Sequence, residues 1–291
     1  VGVVALHEFL ESCGGFMGAG NDYRSARLVL VGAPMDFTVS FRPGTRSGPR
    51  RIREVSVGLE EYSPYLQRDL KDYCYYDAGD VVLPFGHVPQ SLNRLESVVG
   101  QLLADGKFPL VLGGEHLIAL APVKQMARAF PGLNVLHFDA HADLREDYLG
   151  ESLSHATVMR RVAEVVGSRN LHQFGIRSGT AGEFAYGREN TGFYPFEILT
   201  PLQQVVDRLH GCPVYVTLDI DVVDPAFAPG TGTPEPGGCS SAEIMAALHM
   251  LKGLNVVGMD LVEVCPVYDQ SDRTSLLAAK LVREAILLFG G

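Results

Sequence analysis

Short apolar runs alternate along the chain with longer stretches whose apolar positions recur every three to four residues, which is the pattern of an α/β protein. Strands are predicted at 27–33, 73–76, 109–113, 134–138, 214–218 and 255–262. Helices are predicted at 49–62, where Pro49 suits a first turn, and at 91–104, 116–130, 155–166, 202–209, 240–251 and 271–288. Between the second strand and the second helix, Asp77-Ala-Gly-Asp80 reads as a turn. The expected architecture is a single-domain parallel β-sheet with helices on both faces. No element is expected before about Arg24, so residues 1–23 are set apart as an N-terminal segment of uncertain order and 24–291 as one catalytic domain.

Chemistry enters at the ends of three of these strands. Val135-Leu-His-Phe-Asp139-Ala-His141-Ala-Asp143 and Val214-Tyr-Val-Thr-Leu-Asp219-Ile-Asp221 each end an apolar run in acidic or imidazole side chains spaced by two. On an extended backbone alternate residues share a face, so Asp139, His141 and Asp143 converge, as do Asp219 and Asp221. Phe108-Pro-Leu-Val-Leu-Gly-Gly-Glu115-His116 follows the same plan, with two glycines that let the chain turn and His116 as a sixth candidate ligand. A single Asp-x-Asp is usually a solvated turn, but three such pieces each closing a strand call for a metal centre. In open parallel sheets ligands bind outside the carboxyl ends of strands, where all six residues lie.

Four carboxylates and two imidazoles without a thiolate form a hard donor set that suits manganese better than structural zinc. Six ligands are too many for one catalytic ion with an open position, whereas two ions about 3.5–4 Å apart can share bridging carboxylates. Two Mn2+ per subunit are therefore expected. A zinc deacetylase of related fold would need only one ion. A catalytically silent relative would have no need of clustered charge.

The chain has 291 residues, 46% of them hydrophobic, enough to fill the core of one large α/β domain. A formal charge of −10 argues against nucleic acid or an anionic membrane as partner and favours a cationic ligand. No apolar run approaches the roughly 18–20 residues of a membrane span, and the amino terminus does not resemble a secretory signal. Five scattered cysteines, with no Cys-x-x-Cys, suggest neither a disulfide framework nor a zinc knuckle, so a reducing cytoplasm is the expected location. Neither a Walker loop nor a dinucleotide glycine pattern is present.

The same segments resemble the ureohydrolase (arginase and agmatinase) family. The resemblance rests on Gly113-Gly-Glu-His116, His137-Phe-Asp-Ala-His-Ala-Asp143, Asp219-Ile-Asp-Val-Val-Asp-Pro225, Ala228-Pro-Gly-Thr-Gly-Thr-Pro234 and Asp260-Leu-Val-Glu-Val264. Arg42-Pro-Gly-Thr-Arg46, Ser154-His-Ala-Thr157, Phe174-Gly-Ile-Arg-Ser178 and Pro266-Val-Tyr-Asp269 are more similar to agmatinases than to arginases. The likeness runs from about Ala33 to the carboxyl end. Glu115, where many relatives have Asp, and Ala142, which replaces a common Thr, depart from the pattern without touching a proposed ligand.

The resemblance implies an arginase/deacetylase-like three-layer fold and a homotrimer or homohexamer. It implies that one manganese takes His116 and Asp143 and the other His141 and Asp221, with Asp139 and Asp219 between them. The implied reaction is hydrolysis of agmatine to putrescine and urea, as in polyamine biosynthesis, through attack of a metal-bridging hydroxide on the guanidinium carbon. Asp143, His155 and Glu263 are the candidate catalytic residues. Asp143 would pass a proton to the leaving amine. His155, opening a helix after a polar loop, would exchange protons with solvent near neutral pH. Glu263, at the end of the last strand, would hold the guanidinium through charge-assisted hydrogen bonds.

Several neighbours receive lesser roles. His137 is expected in the core, facing away from the metals, and Thr231 and Thr233 as turn residues and donors to the carboxylates. Arg177, at a strand end, reads as a structural or intersubunit contact. The pocket rim is assigned to 144–154, with three acids against one arginine, which favours a substrate with a cationic or neutral far end. Arg145 is the counter-argument: pointing inward, it would suit a guanidino acid such as guanidinobutyrate.

Overall fold

The computed structural model describes residues 8–291. Residues 1–7 of the expected N-terminal segment lie outside the described residues. In chain order the main elements are β1 (Leu10–Glu11), β2 (Leu28–Ala33), α1 (Gly48–Ser56), β3 (Tyr62–Ser63), β4 (Arg68–Asp69), β5 (Tyr75–Val81), α2 (Val88–Ala104), β6 (Phe108–Gly113), α3 (Leu120–Ala129), β7 (Asn134–Phe138), α4 (Val158–Val166), β8 (Leu171–Phe174), α5 (Ala181–Asn190), β9 (Gly192–Tyr194), α6 (Leu199–Arg208), β10 (Pro213–Asp219), α7 (Ser241–Met250), β11 (Asn255–Val262) and α8 (Arg273–Phe289). Nine strands form one sheet in the order β1-β5-β2-β6-β11-β10-β7-β8-β9, with β3 and β4 paired separately. All neighbours in the large sheet are parallel except β1, which runs antiparallel to β5.

The apolar runs are continuous because both faces of the sheet are covered. Alternate residues of one strand enter different cores: Leu110 and Leu112 of β6 join Ile52, Leu202, Ile244 and Leu281 on one side, whereas Val111 joins Leu95, Val123 and Val162 on the other. The first side is therefore roofed by α1, α6, α7 and α8, and the second by α2, α3 and α4. Three layers result, as expected from the sequence.

The sequence reading fails where pairing decides conformation. Asp77–Asp80 is not a turn but part of β5. Gly79 supplies a positive φ of 82° and the pairing with β2 shifts register there, so a bulge absorbs what reads as turn chemistry. Arg53 neutralises the strand's acids, with Nε 2.7 Å from Asp77 and Nη1 2.7 Å from Asp80. The helix expected at 49–62 stops at Ser56. Residues before Arg24 contribute β1 and place Phe16 and Met17 in the core, with the Phe16 N–H donating to Asp77 at 2.9 Å. The helices expected at 116 and 155 open as 3-10 turns over His116–Ala119 and His155–Thr157 before α3 and α4. No element was expected at α5 or β9. The Thr180-x-x-Glu183 capping box that starts α5 is the signal that would have found it.

Candidate metal centre

The strands β6, β11, β10 and β7 lie side by side and carry the candidate residues at their carboxyl ends; His116, His141, Asp143, Asp219 and Glu263 line a cavity of about 290 Å³, with Asp139 and Asp221 buried behind them. The turn after β6 needs both glycines: a Cβ on Gly114 would lie 2.7 Å from the Ala33 carbonyl oxygen. His116 follows, buried. Its Nδ1 lies 2.9 Å from Asp139 Oδ2, 3.2 Å from Asp219 Oδ2 and 3.4 Å from Asp143 Oδ2. His141 Nδ1 lies 3.0 Å from Asp221 Oδ2 and 3.5 Å from Asp139 Oδ1. Two groups of donor atoms within mutual reach thus form, His116, His137, Asp139 and Asp143 in one and Asp139, His141 and Asp221 in the other, and Asp139 belongs to both.

Backbone geometry aims these side chains. The Asp139 and Asp219 carboxylates accept the N–H two residues on, from His141 at 2.6 Å and Asp221 at 2.8 Å, which fixes each Asp-x-His or Asp-x-Asp step. Asp221 in turn accepts from the Ala140 N–H at 3.1 Å, tying the ends of β7 and β10 together. Asp143 and Glu263 have positive φ, 52° and 64°, a conformation that costs non-glycine residues free energy and is held only by surrounding structure. The Asp143 carbonyl accepts the Met159 and Arg160 N–H groups at the start of α4.

Thr217 has one hydroxyl proton and gives it to Asp260 at 2.7 Å, so it must accept from His116 Nε2 at 2.9 Å. The proton of a neutral His116 is therefore on Nε2, and its Nδ1 lone pair faces three carboxylates without a hydrogen bond. That arrangement is repulsive unless a cation sits between them. Without a metal that cation is a proton: burial opposes charge on His116, but Asp139 and Asp219 outweigh it and hold its pKa well above the ordinary value, the place a bound metal ion would take over. Burial and mutual repulsion push Asp143 and Asp219 well above the carboxylate range. Four crowded carboxylates and two imidazole nitrogens fit hard divalent cations as their counter-charge.

The surroundings differ from expectation at His137. It is buried, but it does not face away: its ring packs 5.2 Å from that of His116 and its Nε2 lies 2.8 Å from Asp139 Oδ2. Gln173 donates to His137 Nδ1 at 3.1 Å, which puts the ring proton on Nε2, directed at Asp139. His137 therefore orients a carboxylate instead of offering a lone pair. Gln173, Thr217 and Asp260 received no role from sequence reasoning, because only the sheet order reveals their partners.

Thr233 Oγ1 donates to Asp221 Oδ2 at 3.3 Å, while the Thr231 hydroxyl, also expected as a donor, makes no hydrogen bond. Arg177 is structural within the chain: its guanidinium donates to the carbonyls of Asp221 at 2.7 Å, Val222 at 3.1 Å and Glu235 at 2.7 Å. His155 lines the cavity beside Ser40, whose Oγ is 3.1 Å from Nε2, and burial pushes its pKa down to about 4. It is neutral at pH 7. Thr38 accepts the His155 backbone N–H at 3.0 Å and is itself held by Glu115, which accepts the Thr38 hydroxyl at 2.7 Å and N–H at 2.8 Å. Glu263 lines the same cavity, with burial raising its carboxyl to about 8.

A family model described as the arginase family matches residues 26–288. The chain belongs to the arginase family. An agmatinase of Bacillus subtilis is 52% identical over 278 residues, 94% of this chain and 96% of the relative. A guanidinobutyrase of Pseudomonas aeruginosa is 36% identical over 90% of this chain and 86% of its own length. The crystal structure of the agmatine ureohydrolase of Thermoplasma volcanium superposes with a TM-score of 0.83 at 34% identity, covering 94% of each chain. The arginase-like three-layer fold is thus shared with solved relatives. No described helix is long and apolar enough to cross a membrane.

Proposed function

We propose that this arginase-family chain is an agmatinase, a binuclear manganese amidinohydrolase that converts agmatine to putrescine and urea. The observation that carries the reading is His116 Nδ1 within 3.4 Å of the Asp139, Asp143 and Asp219 carboxylates, in the wall of a cavity also lined by His141 and Glu263. His116 and Asp143 would hold one ion, His141 and Asp221 the other, with Asp139 and Asp219 between both. When bound, two such ions would supply a water acidified toward neutrality as the nucleophile.

The chain's own residues do the rest. Glu263 orients the guanidinium, whose charge would hold the carboxyl ionised against its burial: one oxygen is occupied by the His116 N–H, which leaves the other for the substrate. Asp143 is placed to pass a proton to the departing amine. His155, neutral at pH 7, lines the cavity beside Ser40, where its two ring nitrogens can pass a proton between hydrogen-bond partners. A homotrimer or homohexamer in the cytoplasm completes the reading.

A second reading, hydrolysis of a guanidino acid, is favoured by Arg145, which lines the same cavity. Urea release from agmatine, arginine, guanidinobutyrate, guanidinopropionate and guanidine, after loading with manganese, separates the two. Agmatine should give the highest kcat/KM, at least about tenfold above arginine, equivalent to roughly 1.4 kcal/mol of transition-state binding. Preference for a guanidino acid would replace the substrate while leaving the chemistry in place.

A further inference from the structure

Arg145 presents a contradiction. A pocket for a substrate with a terminal ammonium should not carry a cation in its wall, yet Arg145 lines the cavity together with Tyr148, Ser178 and Glu183. Its surroundings resolve the matter. The Arg145 Nε lies 3.5 Å from Glu183 Oε2, and its guanidinium sits over the Tyr148 ring at 4.9 Å from the centroid. Tyr148 packs edge-on against His155, 5.8 Å between ring centroids, so the cation is held against the cavity wall.

Glu183 is the fixed member of the pair. Its side chain is only 5% exposed, Oε1 accepts the Leu144 N–H at 3.2 Å, and Oε2 accepts the Thr180 N–H at 2.7 Å and hydroxyl at 2.9 Å. These bonds make it the third residue of the α5 capping box and anchor it to the residue before Arg145. The Arg145 side chain is 37% exposed and has no comparable anchor. A buried, hydrogen-bonded anion therefore sits beside a part-exposed cation in the wall of the pocket.

We propose that Arg145 and Glu183 form a charge filter for the far end of the substrate, in which Glu183 cancels Arg145 and so admits a terminal ammonium while denying a terminal carboxylate an unpaired cation. The proposal rests on the guanidino-hydrolase reading above and deepens it. Opposite charges a few ångströms apart present little field beyond their own separation, so a terminal carboxylate meets no unpaired cation there. Removing the anion would expose the arginine to a carboxylate. Removing the arginine would leave Glu183 to attract the ammonium. Both residues act on the tail of the substrate, so the changes should appear in KM more than in kcat.

The test compares wild type, Arg145→Gln and Glu183→Gln, all loaded with manganese, on agmatine and 4-guanidinobutyrate. Gln at 183 retains a capping-box acceptor, and unfolding midpoints check that it folds; Arg145→Gln changes a part-exposed side chain and serves if Glu183→Gln does not fold. Arg145→Gln should raise the agmatine-to-guanidinobutyrate ratio of kcat/KM by about fivefold or more, and Glu183→Gln should lower it by a similar factor, through KM. An Arg145→Gln ratio within about twofold of wild type would overturn the filter. Calorimetric binding of putrescine against 4-aminobutyrate gives the same comparison without turnover. If the wild type hydrolyses neither guanidino compound, the proposed function fails, and the binding ratio still decides for or against the filter.

Discussion

Glu263 Oε1 accepts the backbone N–H of His116 at 2.8 Å across 147 positions of sequence. The Glu263 N–H donates in return to the Gly114 carbonyl at 2.9 Å, so the end of β11 and the turn after β6 lock each other. Glu263 therefore has a structural duty besides the guanidinium contact proposed for it. The two can be separated by chemistry. Glu263→Gln keeps an acceptor for the His116 N–H and should retain both ions while kcat/KM falls by several orders of magnitude. Glu263→Ala leaves that buried N–H unpaired and should also loosen metal at His116. Parallel elemental analysis and urea assays check this; metal loss in step with activity in the Gln variant would make Glu263 a ligand or support.

Metal content should divide the cluster by position. Chelation should abolish urea release and manganese restore it, with near two ions per subunit. Asp139→Ala and Asp219→Ala should each lose both ions, and His116→Ala mainly one. Thr217→Val removes the acceptor that fixes the His116 tautomer and should weaken metal affinity by about 10–100-fold without removing a ligand. Titrations monitored by elemental analysis distinguish these patterns.

Arg177 should matter for stability before chemistry. Arg177→Met withdraws donors from the backbone carbonyls of Gly175, Asp221, Val222 and Glu235, which predicts a loss of about 2–4 kcal/mol in urea unfolding. Arg177→Lys should recover only part of it, because one ammonium cannot reproduce the planar fork.

His172 supplies a pH test away from the centre. Burial pushes its pKa down to about 4, and its Nε2 lies 3.2 Å from Asn134 Oδ1. The folded state thus resists a proton that the unfolded chain accepts near 6.5. Stability should be fully present above that value and decline as pH falls toward 4, by about 3 kcal/mol from this residue. His172→Gln should flatten the decline between pH 7 and 4 in denaturant midpoints; an unchanged slope would remove His172 as its source.

Much of this centre was legible because in β6, β7 and β10 a continuous apolar run precedes the polar residues, so topology and chemistry are written in the same order. The pairing partners were not. Thr217 reads as a strand residue until β11 brings Asp260 beside it, and His137 reads as core until β8 brings Gln173 to its Nδ1. The segment 77–80 misled because Asp and Gly usually mark turns; here Arg53, supplied by α1, makes two acids tolerable inside a strand. Glu183 was silent for a similar reason, since its significance depends on Arg145, remote in sequence and adjacent only in the fold.

Cleavage of the agmatine guanidinium to urea by the metal-loaded site leaves a distinctive pair of products. Product analysis from one incubation with manganese-loaded protein tests it directly. Urea and putrescine should form in equal amounts, with no ammonia. Ammonia together with N-carbamoylputrescine, or no turnover of agmatine with two ions bound, would contradict it.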